Sequence, residues 1–427
     1  MTKGNFINKL CVLFVAITMA GMLSCSDDEK SLGNKSDRSS VVDRITVSIE
    51  SRAGEPQDDE DEGDEQEILS PDLLLPEGYT LEFDENSVIF VSQQTQLIPA
   101  FQTEDAIYDY KFIVDSEDAN WDEGYNFTPR NLADPLEWYK ISNRGTYGGY
   151  FTLFALHFPR RDEIKQRTVD GKIVYSVEED QSTLENLIKS DVLGAYHTTS
   201  ELFNRLRFRL FHLMTYLRIR LYVPVYNEEK KTGFFDDALI SANLVNANPE
   251  FAVDWGAKMT SDEEGPAISA VAGDGNIKMY KHPLKDGEER TPVPIKYADF
   301  LQTGFFDQEI DGDEDMVRVY DFSVLIPRQV SVLDEDGNPQ NFAESEFLNF
   351  ILRSNSGAEN KYIFDQSMKN EENSSFLNLT PGVFQYMELY VPRVGNKIIC
   401  MKATLKPWNH HETSLPLGGK DEEEGDW

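Results

Sequence analysis

The segment RLRFRLFHLMTYLRIRLYVPV (residues 205–225) carries the clearest structural signal in the chain. Its apolar residues first occupy even positions and then odd ones, as in Leu206, Phe208 and Leu210 against Leu217, Ile219, Leu221 and Val223. Alternation with a period of two is typical of a β-strand with one buried face. Because side chains along a strand alternate strictly, the change of phase predicts a bend, a bulge or a new strand between Phe211 and Tyr216.

Short runs of the same kind recur on both sides of this segment. They are rich in β-branched and aromatic residues and are separated by turn residues: TLEFDENSVIFVS (80–92), AIYDYKFIVD (106–115), GGYFTLFALHF (148–158), GKIVYSVEE (171–179), VRVYDFSVLIP (317–327) and FLNLTPGVFQYMELYVPRVGNKIICMKATLKPW (376–408). SVLDEDGN (331–338) adds an Asp-Gly hairpin signal. This spacing predicts a mostly β fold of the sandwich or barrel type. Ser182-Thr183-Leu184-Glu185 matches a capping box and predicts a short helix near 183–190.

The formal charge of −36 excludes two classes of ligand. Nucleic acids and anionic membrane surfaces are bound through basic patches, so we expect no nucleic-acid partner. The chain has three cysteines, at 11, 25 and 400. Only two of them follow the N-terminal segment discussed next, so a disulfide framework or a cysteine metal cluster is not expected.

The N-terminus has the layout of a secretory signal. Two lysines precede an apolar run over 10–23 that is too short to span a bilayer comfortably. Met22-Leu23-Ser24-Cys25 resembles a bacterial lipobox, in which a peptidase cuts before the cysteine and the sulfur carries a lipid. We therefore predict a signal peptide over 1–24 and an outer-membrane anchor on Cys25, because two or more acyl chains hold a protein stably. Ser26-Asp27-Asp28-Glu29 resembles an export signal to the cell surface.

The polar residues 25–43 are expected to form a flexible tether. RITVSIES (44–51) then alternates like a half-buried strand. The like-charge block EPQDDEDEGDEQE (55–67) predicts a disordered loop, and residues 412–427 predict an acidic tail.

Five local patterns in a fixed order resemble the fimbrillin-like surface lipoproteins of Gram-negative anaerobes. They are KSDVLGA (189–195), FHLMTYLRIRL (211–221), YDFSVLIPRQ (320–329), LTPGVFQYMELYV (379–391) and CMKATLKPW (400–408). Each pattern alone is weak, and together they cover roughly residues 185–410. The N-terminal half matches through the lipobox and through the strand that ends at Ser51-Arg52-Ala53.

This resemblance implies two transthyretin-like antiparallel β-sandwich domains in tandem, over 44–198 and 199–411. It implies a non-enzymatic fimbrial subunit, anchor or tip protein whose partners are other fimbrial subunits. Assembly in that family follows an arginine-specific cut after the first strand, and Arg52 stands at the corresponding position. Losing residues 44–51 would expose two strand edges to which another strand could add. Residues 409–427 lack the alternation of a donated strand, so an accessory, tip or anchor role is as consistent as a stalk role.

Patterns typical of enzymes and of metal sites are lacking in the sequence. No GxSxG, HExxH, P-loop or GxGxxG occurs, so we expect neither catalysis nor a cofactor. DGDED (311–315) and DEDGN (334–338) lack the EF-hand glycine and are interpreted as solvated turns. His212 is interpreted as a hydrogen-bonded structural residue rather than a metal ligand, and His410-His411-Glu412 as a weak chelating site at best.

A second interpretation is a surface glycan-binding lipoprotein of a polysaccharide-uptake system. It depends on four aromatic residues among loop-like sequence that could stack on sugars: Trp121, Tyr125, Trp138 and Tyr139. The alternative role for these residues is to close the end of a sandwich core.

Overall fold

The structure, a computed structural model, describes residues 46–49, 75–81, 88–95, 110–114, 125–129, 151–161, 164, 167–169, 172–199, 205–236, 238–258, 266–271, 275–284, 289–296, 314–329, 346–365, 379 and 381–408. All of them belong to one unit, Asp43–Trp427. Within them lie one helix, α1 (Leu184–Lys189), and twenty-two strands. No helix in these residues is long and apolar enough to cross a membrane. The prediction of a mostly β protein is confirmed.

The strands of the first half are β1 (Thr46–Ile49), β2 (Val88–Thr95), β3 (Tyr110–Val114), β4 (Tyr125–Pro129), β5 (Phe151–His157), β6 (Arg167–Val169), β7 (Lys172–Ser176) and β8 (Leu193–Thr199). Those of the second half are β9 (Arg205–Phe208), β10 (Phe211–His212), β11 (Thr215–Pro224), β12 (Leu239–Val245), β13 (Glu250–Lys258), β14 (Pro266–Ala270), β15 (Asn276–Lys278), β16 (Tyr280–Lys281), β17 (Val293–Lys296), β18 (Glu314–Ile326), β19 (Glu346–Arg353), β20 (Glu359–Asp365), β21 (Val383–Tyr390) and β22 (Ile399–Pro407).

These strands form four sheets. The largest has the order β10-β8-β5-β2-β3-β4-β1-β9, and the next has the order β16-β18-β11-β21-β22, with β17 also paired to β18. Two four-stranded sheets have the orders β15-β12-β19-β20 and β14-β13-β7-β6.

The change of phase in residues 205–225 is a chain break between strands, as the sequence predicts. The segment forms β9, β10 and β11 rather than one strand. The odd residues of β11 are fully buried, because the strand pairs with β18 on one side and β21 on the other, and its apolar face meets the core. Leu217, Ile219 and Leu221 are therefore core residues.

Several strand pairs cross the predicted boundary between residues 198 and 199. β1 pairs with β9, β8 with β10, and β7 with β13. One large apolar cluster also contains buried residues from Tyr79 through to Trp408. The division into sandwiches over 44–198 and 199–411 remains a prediction, and it has to accommodate these pairings.

The predicted helix is present, but its first residue differs from the expected one. The N-cap is Thr183, whose hydroxyl accepts from the backbone N–H of Asn186 at 3.2 Å. Ser182, the first residue of the capping-box match and so the cap it predicts, is not the N-cap, because its hydroxyl and its backbone N–H both donate to Asp180. Local hydrogen bonding thus moved the cap by one residue.

The C-terminal run over 376–408 contains two strands, in line with its β-rich composition. β21 and β22 pair antiparallel, and the turn between them places Gly395 at φ 87°. A positive φ of this kind favours glycine. β18 ends at Ile326, directly before Pro327. The hairpin predicted over 331–338 lies outside the described residues.

Candidate functional site

The first candidate site is the position of β1 in the eight-stranded sheet. β1 pairs antiparallel with β4 through three residues and parallel with β9 through four. It therefore lies inside the sheet rather than on its edge, although it is only four residues long. Removing it would separate β9 from β4 and leave an open position between two unpaired backbone edges.

Buried phenylalanines flank this position on both sides. The register places Val47 opposite Phe127 of β4, and Ile49 opposite Phe208 of β9. Both phenylalanine side chains are almost completely buried. An open position here would thus adjoin apolar core as well as unpaired backbone groups, and both favour addition of a strand.

The chain after β9 is fastened by a buried polar cluster. His212 lies four residues beyond Phe208, and its Nδ1 is 2.8 Å from Oδ1 of Asp191. The other carboxylate oxygen of Asp191 accepts from the Tyr79 hydroxyl at 2.8 Å. Burial raises the pKa of Tyr79 well above its usual value, and the charge of Asp191 adds to the shift. Asp191 is fully buried, so both bonds satisfy a group that would otherwise be costly to bury.

Aromatic rings enclose the polar cluster. The His212 ring is stacked on Trp408, with centroids 3.8 Å apart and planes 8° from parallel. Trp408 meets Tyr216 edge-on at 5.2 Å, and Tyr216 stacks on Phe384 at 4.8 Å. Four of the five ordered motifs contribute one or more of these residues, which places four distant segments around one point.

The fifth motif joins the same region through backbone and hydroxyl contacts. The side chain of Gln181 donates to the carbonyl of Leu325 at 2.8 Å and accepts from its N–H at 2.9 Å. The Tyr216 hydroxyl donates to Oγ of Ser323 at 2.6 Å. The motifs are thus explained by core structure, and the interpretation of His212 as a structural residue is confirmed.

His282 and Ser323 form a contact that resembles a nucleophile beside a base. Nε2 of His282 is 2.7 Å from Oγ of Ser323. Burial lowers the pKa of His282 to about 4, and Arg218 acts in the same direction. Ser323 is completely buried and also bonds Tyr216, so a substrate could not reach it in this conformation.

Two residues of a predicted turn belong to a strand. The sequence predicts a solvated turn over DGDED (311–315), but Glu314 and Asp315 begin β18. The Asp315 carboxylate is buried, forms an ion pair with Arg393 and accepts from the Tyr390 hydroxyl at 2.9 Å. The expectation of a solvated turn is therefore wrong at Asp315. Its partners lie about 75 residues further along the chain, beyond the reach of a local pattern.

The remaining predicted site residues lie largely outside the described residues. These are Cys25, Arg52, Trp121, Trp138, Tyr139, His410, His411 and Glu412, with the acidic segments 55–67 and 334–338. Tyr125 is described as the first residue of β4, so it belongs to a strand rather than a loop. No group of three His, Cys, Asp or Glu side chains that could hold a metal occurs in the described part of the chain.

No family model and no curated protein matches the chain. Similar solved structures include a candidate cell adhesion protein of Bacteroides uniformis, with TM-score 0.40, 11% identity, and coverage of 86% of this chain and 98% of that one. The tip fimbrial protein Mfa3 of Porphyromonas gingivalis, truncated at its C-terminus, has TM-score 0.33, 9% identity, and coverage of 76% and 95%. Candidate polysaccharide-binding proteins of Bacteroides thetaiotaomicron have TM-score 0.34, 8% identity, and coverage of 86% and 97%. Likenesses this weak establish neither a family nor a function for this chain.

Proposed function

We propose that this chain is a lipid-anchored surface protein of the fimbrillin type, which assembles with other subunits by β-strand exchange. The observation that carries the proposal is the position of β1. This strand has four residues, is paired on both sides, and comes first along the chain among the strands of its sheet. A strand in this position can be detached by one cut in the chain that follows it, and Arg52 is three residues beyond its end.

Detachment of β1 would create a site with a defined chemistry. Backbone N–H and C=O groups of β4 and β9 would lose their partners, and unpaired backbone groups are costly in an apolar setting. A second extended segment restores both ladders, which is the basis of recognition by strand addition. The incoming strand must run antiparallel to β4 and parallel to β9, so its direction is fixed by the fold.

Limited digestion with an arginine-specific protease tests this mechanism. We expect a cut after Arg52 to convert the purified monomer into oligomers. Size-exclusion chromatography with light scattering measures this change in mass. The matched control is Arg52→Lys, which keeps every other arginine site. Arg44→Lys is the second control and should oligomerise like the wild-type chain. A cut at Arg44 would leave β1 joined to the body through residues 50–52, so losing that site should not matter.

The peptide RITVSIES, added during digestion, should compete with oligomerisation because it refills the opened position. If the wild-type chain is cut after Arg52 and stays monomeric, or if Arg52→Lys oligomerises equally, strand exchange at β1 is wrong.

The anchor belongs to the same proposal. Lipid on Cys25 would hold the uncut chain on the outer membrane, at the cell surface, despite its strongly acidic charge, and a cut after Arg52 would separate this anchor from the residues that follow. Cys25→Ser is expected to move the protein from the membrane fraction to the soluble fraction of expressing cells. Detergent-dependent fractionation of that variant would contradict lipidation at Cys25.

The two-sandwich architecture is the finer part of the proposal. It is supported by the distribution of strands, since six strands of the eight-stranded sheet precede residue 200. The sheets containing β11 and β12 consist entirely of strands that follow residue 200. Adhesion as a tip, anchor or stalk protein is the corresponding role. The glycan-binding alternative on Trp121 and Trp138 remains a prediction.

A further inference from the structure

A polar cleft lies on the face of the β15-β12-β19-β20 sheet that points away from the core. The opposite face carries fully buried apolar residues, among them Leu244, Ile277 and Phe350. The cleft has a volume of about 450 Å³ and is lined by Glu179, Asp180, Asn243, Val245, Asn276, Lys278, Asn349 and Ile351. Only two of these eight residues are apolar.

The strand register aligns the polar groups in a row. Asn243 in β12 pairs with Lys278 of β15 on one side and with Asn349 of β19 on the other. Residues paired in this way project from the same face of a sheet. The row therefore crosses three strands, which are rigid elements well suited to hold a binding site.

Hydrogen bonds fix the orientation of the two asparagine side chains. Nδ2 of Asn243 donates to Oδ1 of Asn349 and to Oγ of Ser241, each at 3.2 Å. Nδ2 of Asn349 donates to Oε1 of Glu346 at 3.3 Å. With both protons of Asn243 used, its Oδ1 is left as an acceptor. Among the described residues, neither this oxygen nor the side chain of Asn276 has a hydrogen-bond partner.

The rim of the cleft is held by backbone hydrogen bonds and contains one ion pair, between Lys278 and Asp180. The backbone N–H of Lys278 donates to the carbonyl of Glu179 at 2.8 Å, and that of Gln181 donates to the carbonyl of Lys278 at 3.0 Å. Nζ of Lys278 donates to Oδ2 of Asp180 at 2.8 Å. This bond, together with one from the Ser182 hydroxyl, lowers the pKa of Asp180 to about 2. The rim thus presents a compensated ion pair.

We infer that this cleft binds a neutral carbohydrate. Adjacent hydroxyl groups of a sugar both donate and accept, which matches the amide groups that line the cleft, two of which are held by hydrogen bonds. The acidic chain and the carboxylate of Glu179 oppose anionic ligands. Two apolar side chains offer too little surface for an apolar ligand. A cationic ligand is disfavoured because the Asp180 carboxylate is already paired with Lys278. The cleft volume lies within the usual range for small-molecule sites.

The test uses the full chain, purified in a detergent without a sugar headgroup. An array of neutral, sialylated and sulfated oligosaccharides identifies ligands, and titration calorimetry measures the Kd of the strongest neutral one. We expect Asn276→Ala and Asn243→Ala each to raise that Kd by about tenfold, as for a lost hydrogen bond in a site built to form it. Asn360→Ala is the matched control, because Asn360 is exposed on the same sheet but does not line the cleft.

Thermal unfolding of each variant separates loss of binding from loss of fold. The side chain of Asn276 is exposed and has no hydrogen bond within the described residues, so its variant carries the test if Asn243→Ala unfolds. The inference is overturned if no neutral oligosaccharide binds, if only charged ones bind, or if both cleft variants bind as well as Asn360→Ala. Such a result would leave strand exchange at β1 untouched, because the cleft is not part of the β1 sheet.

Discussion

β1 and β11 have the same local pairing and very different lengths. Each lies between one antiparallel and one parallel neighbour: β4 and β9 for β1, and β18 and β21 for β11. β1 has four residues, whereas β11 has ten and pairs through ten residues with β18 and seven with β21. Topology alone therefore does not determine which strand can be exchanged.

The side chains of β11 explain why this strand is permanent. Its odd residues are core residues, and Tyr216 at its start belongs to the aromatic enclosure of Asp191 and His212. Removing β11 would dismantle the core, while removing β1 breaks two short ladders. Under the proposed mechanism, what sets β1 apart is its small number of backbone pairs and its position early in the chain.

The largest expected change in stability comes from Trp408, which packs against Tyr216 of β11. Trp408→Ala should lower the free energy of unfolding by about 3–5 kcal/mol, because a fully buried ring stacked on His212 and packed against Tyr216 is replaced by a cavity. Chemical denaturation measures this loss. The control Phe235→Ala removes a ring that is 55% exposed and should cost less than about 1 kcal/mol. Equal losses for the two variants would refute the role of Trp408.

The second-largest effect is expected from pH, because acid should lower the free energy of unfolding through His282. This residue contacts Ser323 of β18, the antiparallel partner of β11. The pKa of His282 is 6.5 in the unfolded chain and is lowered to about 4 in the fold by burial and by the neighbouring arginines. Between these values the unfolded chain binds a proton that the folded chain does not. The stabilisation is complete above pH 6.5, and about 3 kcal/mol of it is lost as the pH falls to 4.

The pH dependence has its own control. His282→Gln keeps a polar side chain but cannot titrate, so its unfolding free energy should change less between pH 6.5 and 4. Asp180 does not contribute in this window, because its pKa is lowered from 3.8 to about 2 and its effect appears only at more acidic pH. Identical pH profiles for His282→Gln and the wild-type chain would contradict the assignment.

The smallest effect is expected at α1, which leads into Asp191 and so borders the β11 region. Thr183→Ala removes the N-cap bond to Asn186 and should cost about 1 kcal/mol in thermal or chemical unfolding. Ser182→Ala removes only the bond to Asp180 and should cost less. A larger loss for Ser182→Ala would restore Ser182 as the cap.

Much of the β11 region could be predicted from sequence because its signal is local. Alternation located β11, β18, β21 and β22, and the change of phase after Phe211 located the chain break. Thr183 shows the limit of such patterns, since the bond between Ser182 and Asp180 moved the cap by one residue. The burial of Asp315 depends on Arg393, and no local pattern contains both residues.

The candidate sites depend even more on distant pairings. The strand at 44–51 could be predicted, but its parallel partner β9 lies more than 150 residues later. The asparagine row requires the register of β12 against β19, which are about a hundred residues apart. Asn243 and Asn349 sit at ordinary alternating positions, so nothing in their own segments marks them as neighbours. Sequence order placed Asp191 and His212 in neighbouring motifs, yet their bond required the fold.

Hydrogen exchange of the intact protein compares the two strands directly. Peptides covering Thr46–Ile49 and Thr215–Pro224 can be followed by mass spectrometry as amide protons are replaced. If β1 is an exchangeable strand, its amides will exchange through an opening that leaves those of β11 protected. If both strands exchange together, with the same free energy of opening, β1 is as permanent as β11 and strand exchange at that position is wrong.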